Sequence, residues 1–127
     1  WVAADVGIRD GRIARIGLVP GRGAREIDAR GRYVTPGWID MMDQSGSVLR
    51  QNGGAENKLL MGVTTVIAGE GGTPVPAAEI ESWFRELDGK IAINFGTYYS
   101  ATQARREVIG DKAAPPSAAD MEKIRAN

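Results

Sequence analysis

Val34-Thr35-Pro36-Gly37-Trp38-Ile39-Asp40-Met41-Met42-Asp43-Gln44-Ser45-Gly46 is the stretch on which the fold turns. Pro36-Gly37 punctuates the chain, a short apolar run follows, and the run ends in a polar, glycine-bearing loop. That pattern predicts a buried strand over residues 38–42 whose far end meets a loop. In a barrel enzyme such a junction is where chemistry is placed.

Downstream the pattern repeats. Residues 55–61 read as a short helix stopped by Gly62, and residues 63–68 are β-branched and mostly apolar, as in a buried parallel strand. Ile80, Trp83, Phe84 and Leu87 fall at helical spacing within residues 76–88, with Pro76 suited to the first turn and Gly89 to the C′ position. Both aromatics on that stripe are expected in the core. Residues 91–95 are the next expected strand. Ser100 and Gln103 have the spacing of a capping box for a helix to Ile109, stopped by Gly110, and Ser117 can cap a last helix carrying Met121 and Ile124. Strand alternating with helix is the signature of parallel βα units.

Upstream the chain reads as β. Val2, Ala4, Val6 and Ile8 alternate, which predicts one buried face. Asp10-Gly11 is a strong signal for a two-residue hairpin turn into a second strand at residues 12–16. After a glycine-rich loop at 17–23, residues 26–27 and 32–35 read as two more short strands joined by a turn at 28–31.

Composition removes much chemistry. The 127 residues contain no cysteine and no histidine, so disulfides, thiolate nucleophiles, Cys- or His-based zinc sites and His-based triads are excluded within this chain. Sixteen basic and sixteen acidic residues cancel and are interleaved, with no basic block to attract a phosphate backbone, so nucleic acid is not an expected partner. No apolar run approaches the roughly 18 residues of a membrane span, and no membrane partner is expected. The first residues lack a signal-peptide pattern, which points to the cytoplasm; the chain opens on Trp1, so a leader upstream is left open.

Taken in order, these segments resemble the N-acyl-D-amino-acid deacylase (D-aminoacylase) branch of the amidohydrolase superfamily. Ala4-Asp5-Val6-Gly7-Ile8-Arg9-Asp10-Gly11-Arg12-Ile13 is similar to the family's opening hairpin, and Ile27-Asp28-Ala29-Arg30-Gly31 and Val34 to Asp40 follow as expected. Gly62-Val63-Thr64-Thr65-Val66-Ile67 looks like the second barrel strand. Asn94-Phe95-Gly96, Ala104-Arg105-Arg106 and Val108-Ile109-Gly110 look like the third strand and its helix. The resemblance implies an α/β fold, a (β/α)8 TIM-type barrel preceded by a small β-sandwich subdomain. A barrel takes about 250 residues, so the expectation is an N-terminal fragment. Residues 1–36 would be part of the sandwich and 37–127 about three βα units. The alternative is a complete small α+β domain.

The resemblance also implies zinc, held by a His-x-His pair after the first strand and a cysteine beyond the second. Those positions are Met42, Gln44 and Gly71 here. No metal ligand is therefore assigned. Asp43 and Glu70 are the candidate catalytic residues, as hard oxygen donors able to hold a cation or act as acid and base; alternatively Asp43 stabilises a turn and Glu70 anchors its loop. Gln44, Ser45, Gly71, Gly72, Tyr98 and Tyr99 are candidates for substrate binding. Gly69, Gly71 and Gly72 fit an anion-binding nest or a plain turn, and either tyrosine can instead pack under the following helix. Asp40 reads as architectural, and Gln51, Asn52 and Asn57 as turn and cap residues.

The function so implied is hydrolysis of C–N bonds other than peptide bonds in a small-molecule amide, by the whole protein and not by this chain alone. The competing readings are a metal-free barrel homologue with a binding or regulatory role, and a truncated product without activity.

Overall fold

A computed structural model describes residues 1–73 and 75–126. The chain forms two compact units, Trp1–Thr35 and Pro36–Asn127.

In the first unit β1 (Asp5–Arg9) pairs antiparallel with β2 (Arg12–Gly17). Asp10 and Gly11 have φ of 51° and 70°, as a type I′ turn requires. The expected buried face does not form. Val2, ahead of β1, is 80% exposed, and Ile8 is 71% exposed past a register shift between Gly7 and Ile8 that breaks the alternation within the strand. The strands expected at 26–27 and 32–35 are also not found. Backbone polar groups there have no neighbouring strand to pair with, and the segment keeps only a turn in which the Arg32 N–H donates to the Ala29 carbonyl at 3.0 Å.

The second unit is built on a parallel sheet of order β3 (Trp38–Asp43), β4 (Val63–Ala68) and β5 (Asn94–Thr97). The Pro-Gly break works through contact: a Cβ on Gly37 would overlap the Thr64 side chain, so only glycine lets β3 start this close to β4. The Trp38 N–H then donates to the Gly62 carbonyl at 2.9 Å. The ladder runs from Trp38 opposite Val63 to Asp43 opposite Ala68 and on to Thr97. Between Asp40 and Asp43 the register advances three residues on β3 against two on β4, a bulge that re-aims the last side chain of the strand.

Helix α1 (Glu56–Leu60) connects β3 to β4, and Gly62 at φ 79° turns the chain out of it. After β4 a 3-10 turn at Ala77–Glu79 leads into α2 (Ile80–Leu87). Trp83 and Leu87 from α2 bury against Val66, Ile93, Leu49 and Val75, and the Trp83 ring meets Phe95 edge-on at 4.9 Å. Burying such side chains is worth about 1.5–3 kcal/mol each. Phe84 is not core as expected. It sits at the rim, 37% exposed, because it stands one residue round the helix from Trp83.

Two further expectations shift. The third strand lies at 94–97, not 91–95, since Ile91 and Ile93 pack into the core before the ladder with β4 begins at Asn94. Helix α3 (Ala101–Ile109) starts after Ser100 without a capping box: Gln103 Nε2 donates to Glu107, and the Ser100 N–H donates to Thr73 Oγ1. Gly110 at φ 66° ends α3 as expected. Helix α4 (Ala118–Ala126) does carry a reciprocal cap, with Ser117 and Asp120 exchanging hydrogen bonds through both side chains.

Candidate functional site

Because β3, β4 and β5 are parallel, their C-terminal ends and the loops that follow share one end of the sheet. The loops are stitched together there. The Tyr98 N–H continues the ladder to the Ala68 carbonyl at 2.8 Å. Thr73 Oγ1 donates to the Tyr98 carbonyl at 3.2 Å and accepts from the Ser100 N–H at 2.8 Å. Gly69, at φ 92°, fits only because it has no side chain: a Cβ would overlap the Tyr98 carbonyl.

Asp43 is the polar centre of this end. It is 2% exposed. Its Oδ2 accepts from the Ser45 N–H at 2.9 Å and the Ser45 hydroxyl at 2.5 Å. Its Oδ1 lies 2.5 Å from Lys58 Nζ on α1 and is buried without a well-aligned hydrogen bond. The same ammonium donates to Asp40 Oδ2 at 2.8 Å, while Asp40 Oδ1 accepts from the Met42 N–H. Burial pushes the Asp43 carboxyl up, but the Lys58 ammonium and the two Ser45 donors outweigh it and hold the group below the usual carboxylate range. The Lys58 ammonium, then the Met42 N–H, also lower Asp40, and the two carboxylates, Asp40 first, raise Lys58.

Lys58 was not among the residues singled out from sequence. A signal was present: it is the sole basic residue between Arg50 and Arg85. Nothing in the sequence shows which carboxylates a lone lysine on a short helix will reach.

Asp43, Gln44, Ser47, Gly69, Gly71 and Gly72 line a cleft of about 160 Å³ between the ends of β3 and β4. Gln44 and Gly71 are neighbours: a Cβ on Gly71 would stand 3.5 Å from Gln44 Nε2. Ser45 is turned to Asp43 beside the cleft. The other candidates do not line it. Glu70 is exposed in the loop between Gly69 and Gly71. Tyr98 is 45% exposed at the end of β5, and Tyr99 folds back so that its hydroxyl donates to Glu107 of α3 at 2.7 Å.

The donor set here does not fit a zinc ion. Met42 offers a thioether, Gln44 an amide and Gly71 no side chain, and no group of three His, Cys, Asp or Glu residues that would hold a metal occurs among the described residues. Asp43 is already engaged on both oxygens.

No protein-family model matches the chain. N-acyl-D-glutamate deacylase of Alcaligenes xylosoxydans xylosoxydans is 34% identical over 112 residues, covering 84% of this chain and 23% of that protein. The crystal structure of N-acyl-D-glutamate deacylase from Bordetella bronchiseptica, complexed with zinc and a phosphonate inhibitor, superposes with a TM-score of 0.83 and 29% identity over 97% of this chain. The sequence relatives and structural neighbours of this chain are N-acyl-D-glutamate deacylase and D-aminoacylase amidohydrolases. The D-aminoacylase crystal structure that defines a subset of the amidohydrolases agrees, with a TM-score of 0.79 and 25% identity. The chain spans 31% of each of those two structures, as a fragment would. The related full-length proteins are hydrolases of C–N bonds other than peptide bonds. No helix among the described residues is long and apolar enough to cross a membrane.

Proposed function

We propose that the whole protein to which these βα units belong hydrolyses N-acyl-D-amino acids or a closely related small amide. In this reading residues 37–127 are the first three βα units of a (β/α)8 barrel and residues 1–36 part of a β-sandwich subdomain. The observation that carries it is the cleft between β3 and β4, which lies at the strand ends where barrel enzymes build their sites and is lined by Gln44 and Gly71, the positions at which the resemblance implies metal ligands. Its supports are the deacylase relatives and the match in fold over nearly the whole chain.

This chain contributes pocket wall. The Gln44 amide can hydrogen-bond an acyl or carboxylate oxygen, and the side-chain-free Gly71 and Gly72 let a substrate approach the backbone. Asp43 acts here as an anchor for the Ser45 turn, and Glu70 is the carboxylate free to reach a substrate from the loop. Any metal-activated water would depend on ligands supplied by barrel strands outside these three.

The test is hydrolysis by the complete protein. N-acetyl-D-glutamate, other N-acetyl-D-amino acids and their L-enantiomers are supplied, and release of free amino acid is followed. Turnover of the D-series is expected. Stoichiometric binding of these compounds without turnover would replace the hydrolase reading by that of a binding homologue.

A further inference from the structure

The end of β3 carries two carboxylates and one ammonium in contact. Asp43 is buried, and the side chains of Lys58 and Asp40 keep 17% and 32% of their surface. We propose that Lys58 is the resident cation of this site: its ammonium neutralises Asp40 and Asp43 from within the chain and closes the end of β3 to divalent metal ions. The Lys58–Asp40–Asp43 contacts come from β3 and α1, while the comparison with metal-ligand positions rests on the amidohydrolase reading; the titrations below follow metal and ammonium rather than turnover, so their failure is distinguishable from a failure of that reading.

Three observations converge on it. The first is occupancy. Asp43 Oδ2 is taken by two Ser45 donors, and the Lys58 ammonium stands 2.5 Å from Oδ1 as its counter-charge. A metal entering here would have to displace an ammonium from a buried carboxylate. The second is the donor exchange at Met42, Gln44 and Gly71, which removes the ligands that would repay that displacement.

The third is placement. The bulge between Asp40 and Asp43 turns Asp43 inward, while α1, on the connection back to β4, reaches both carboxylates with one side chain. A lysine suits this position because its ammonium is a compact charge with three donors, enough for both carboxylates. Lys58 is therefore a positioning residue. It fixes Asp43, Asp43 fixes the Ser45 turn, and that turn sets Gln44 and Ser47 at the wall of the cleft.

The experiment is NMR on the ¹⁵N-labelled chain, reading the backbone amides of Asp40 to Ser45 and the side-chain ammonium resonance of Lys58 during titration with Mn²⁺ and, separately, Zn²⁺. In the wild type the amides are expected to keep their intensity in Mn²⁺, and the Lys58 ammonium signal to persist unshifted in Zn²⁺. Lys58→Met leaves the carboxylates without a cation, so selective Mn²⁺ bleaching of Asp40, Asp43 and Ser45 is expected; Lys58→Arg should restore the wild-type response. Bleaching centred on Asp43 in the wild type overturns the proposal, as does loss of the Lys58 signal on adding Zn²⁺. Equal responses of a folded Lys58→Met and the wild type overturn it too. Should Lys58→Met not fold by circular dichroism, the wild-type titrations decide alone.

Discussion

Replacing Lys58 by Met keeps the length and apolar stem of the side chain and removes only its charge. Asp43 then remains buried with its Oδ1 facing no counter-charge, while Oδ2 keeps both Ser45 bonds. Removing one partner of a buried pair costs about 3–5 kcal/mol. The retained Ser45 donors place this case at the low end, and the partly exposed Asp40 contact adds no more than about 1 kcal/mol. The expected loss is about 3 kcal/mol, on the order of 10–20 °C in Tm for a unit of this size. Urea and thermal unfolding followed by circular dichroism measure it, and pH supplies the internal control. In the wild type the depressed Asp43 carboxyl contributes stability that is complete above its unfolded value, near ~3.9, and is lost as pH falls through the lower folded value. In Lys58→Met the Asp43 carboxylate has no ammonium to lose on protonation, so acid takes less stability from the variant than from the wild type. The two stability curves should converge toward acid. A loss below about 1 kcal/mol at pH 7, or a gap that keeps its size once the pH is taken below the folded Asp43 value, would refute the reasoning.

Gly69→Ala should destabilise by about 2 kcal/mol or more, from positive φ and overlap with the Tyr98 carbonyl. Gly71→Ala, whose Cβ finds only ordinary contact with Gln44, should stay within about 0.5 kcal/mol, and chemical denaturation of the pair separates the two loop positions. Ser117→Ala should cost α4 about 1 kcal/mol, whereas Ser100→Ala, which removes no cap bond, should leave the protection of α3 almost unchanged in amide hydrogen exchange.

The strands that pack into the second unit were legible because their signals are local. The β-branched run at 63–68 and the Trp83 stripe report burial directly in residue type, and the Pro36-Gly37 break marks where β3 starts; the burial expected over 38–42 does not follow, since β3 is the edge strand and Trp38, Ile39 and Met42 are 60–65% exposed. What the sequence hid depends on partners. Strands at 26–27 and 32–35 need neighbouring strands that these residues do not have, and the Ser100 cap lost to a longer-range bond with Thr73. At the candidate site, Asp43, Gln44 and Gly71 were found from their place after β3 and β4. Lys58 was missed because its role is fixed by a bulge on one strand and the reach of a helix toward it. No spacing rule encodes that meeting.

The central proposal is that the ends of β3 and β4 stand where the resembling amidohydrolases hold a metal, with Met42, Gln44 and Gly71 in place of its ligands. Restoring them tests it directly: Met42→His, Gln44→His and Gly71→Cys are combined in one chain, and Co²⁺ and Zn²⁺ binding are measured by optical spectroscopy and calorimetry beside the wild type. The account predicts visible Co²⁺ ligand-field bands and tight Zn²⁺ binding in the triple variant, and neither in the wild type. A folded triple variant that binds no better than the wild type, or a wild type that already binds Zn²⁺ at this end of the sheet, would contradict it.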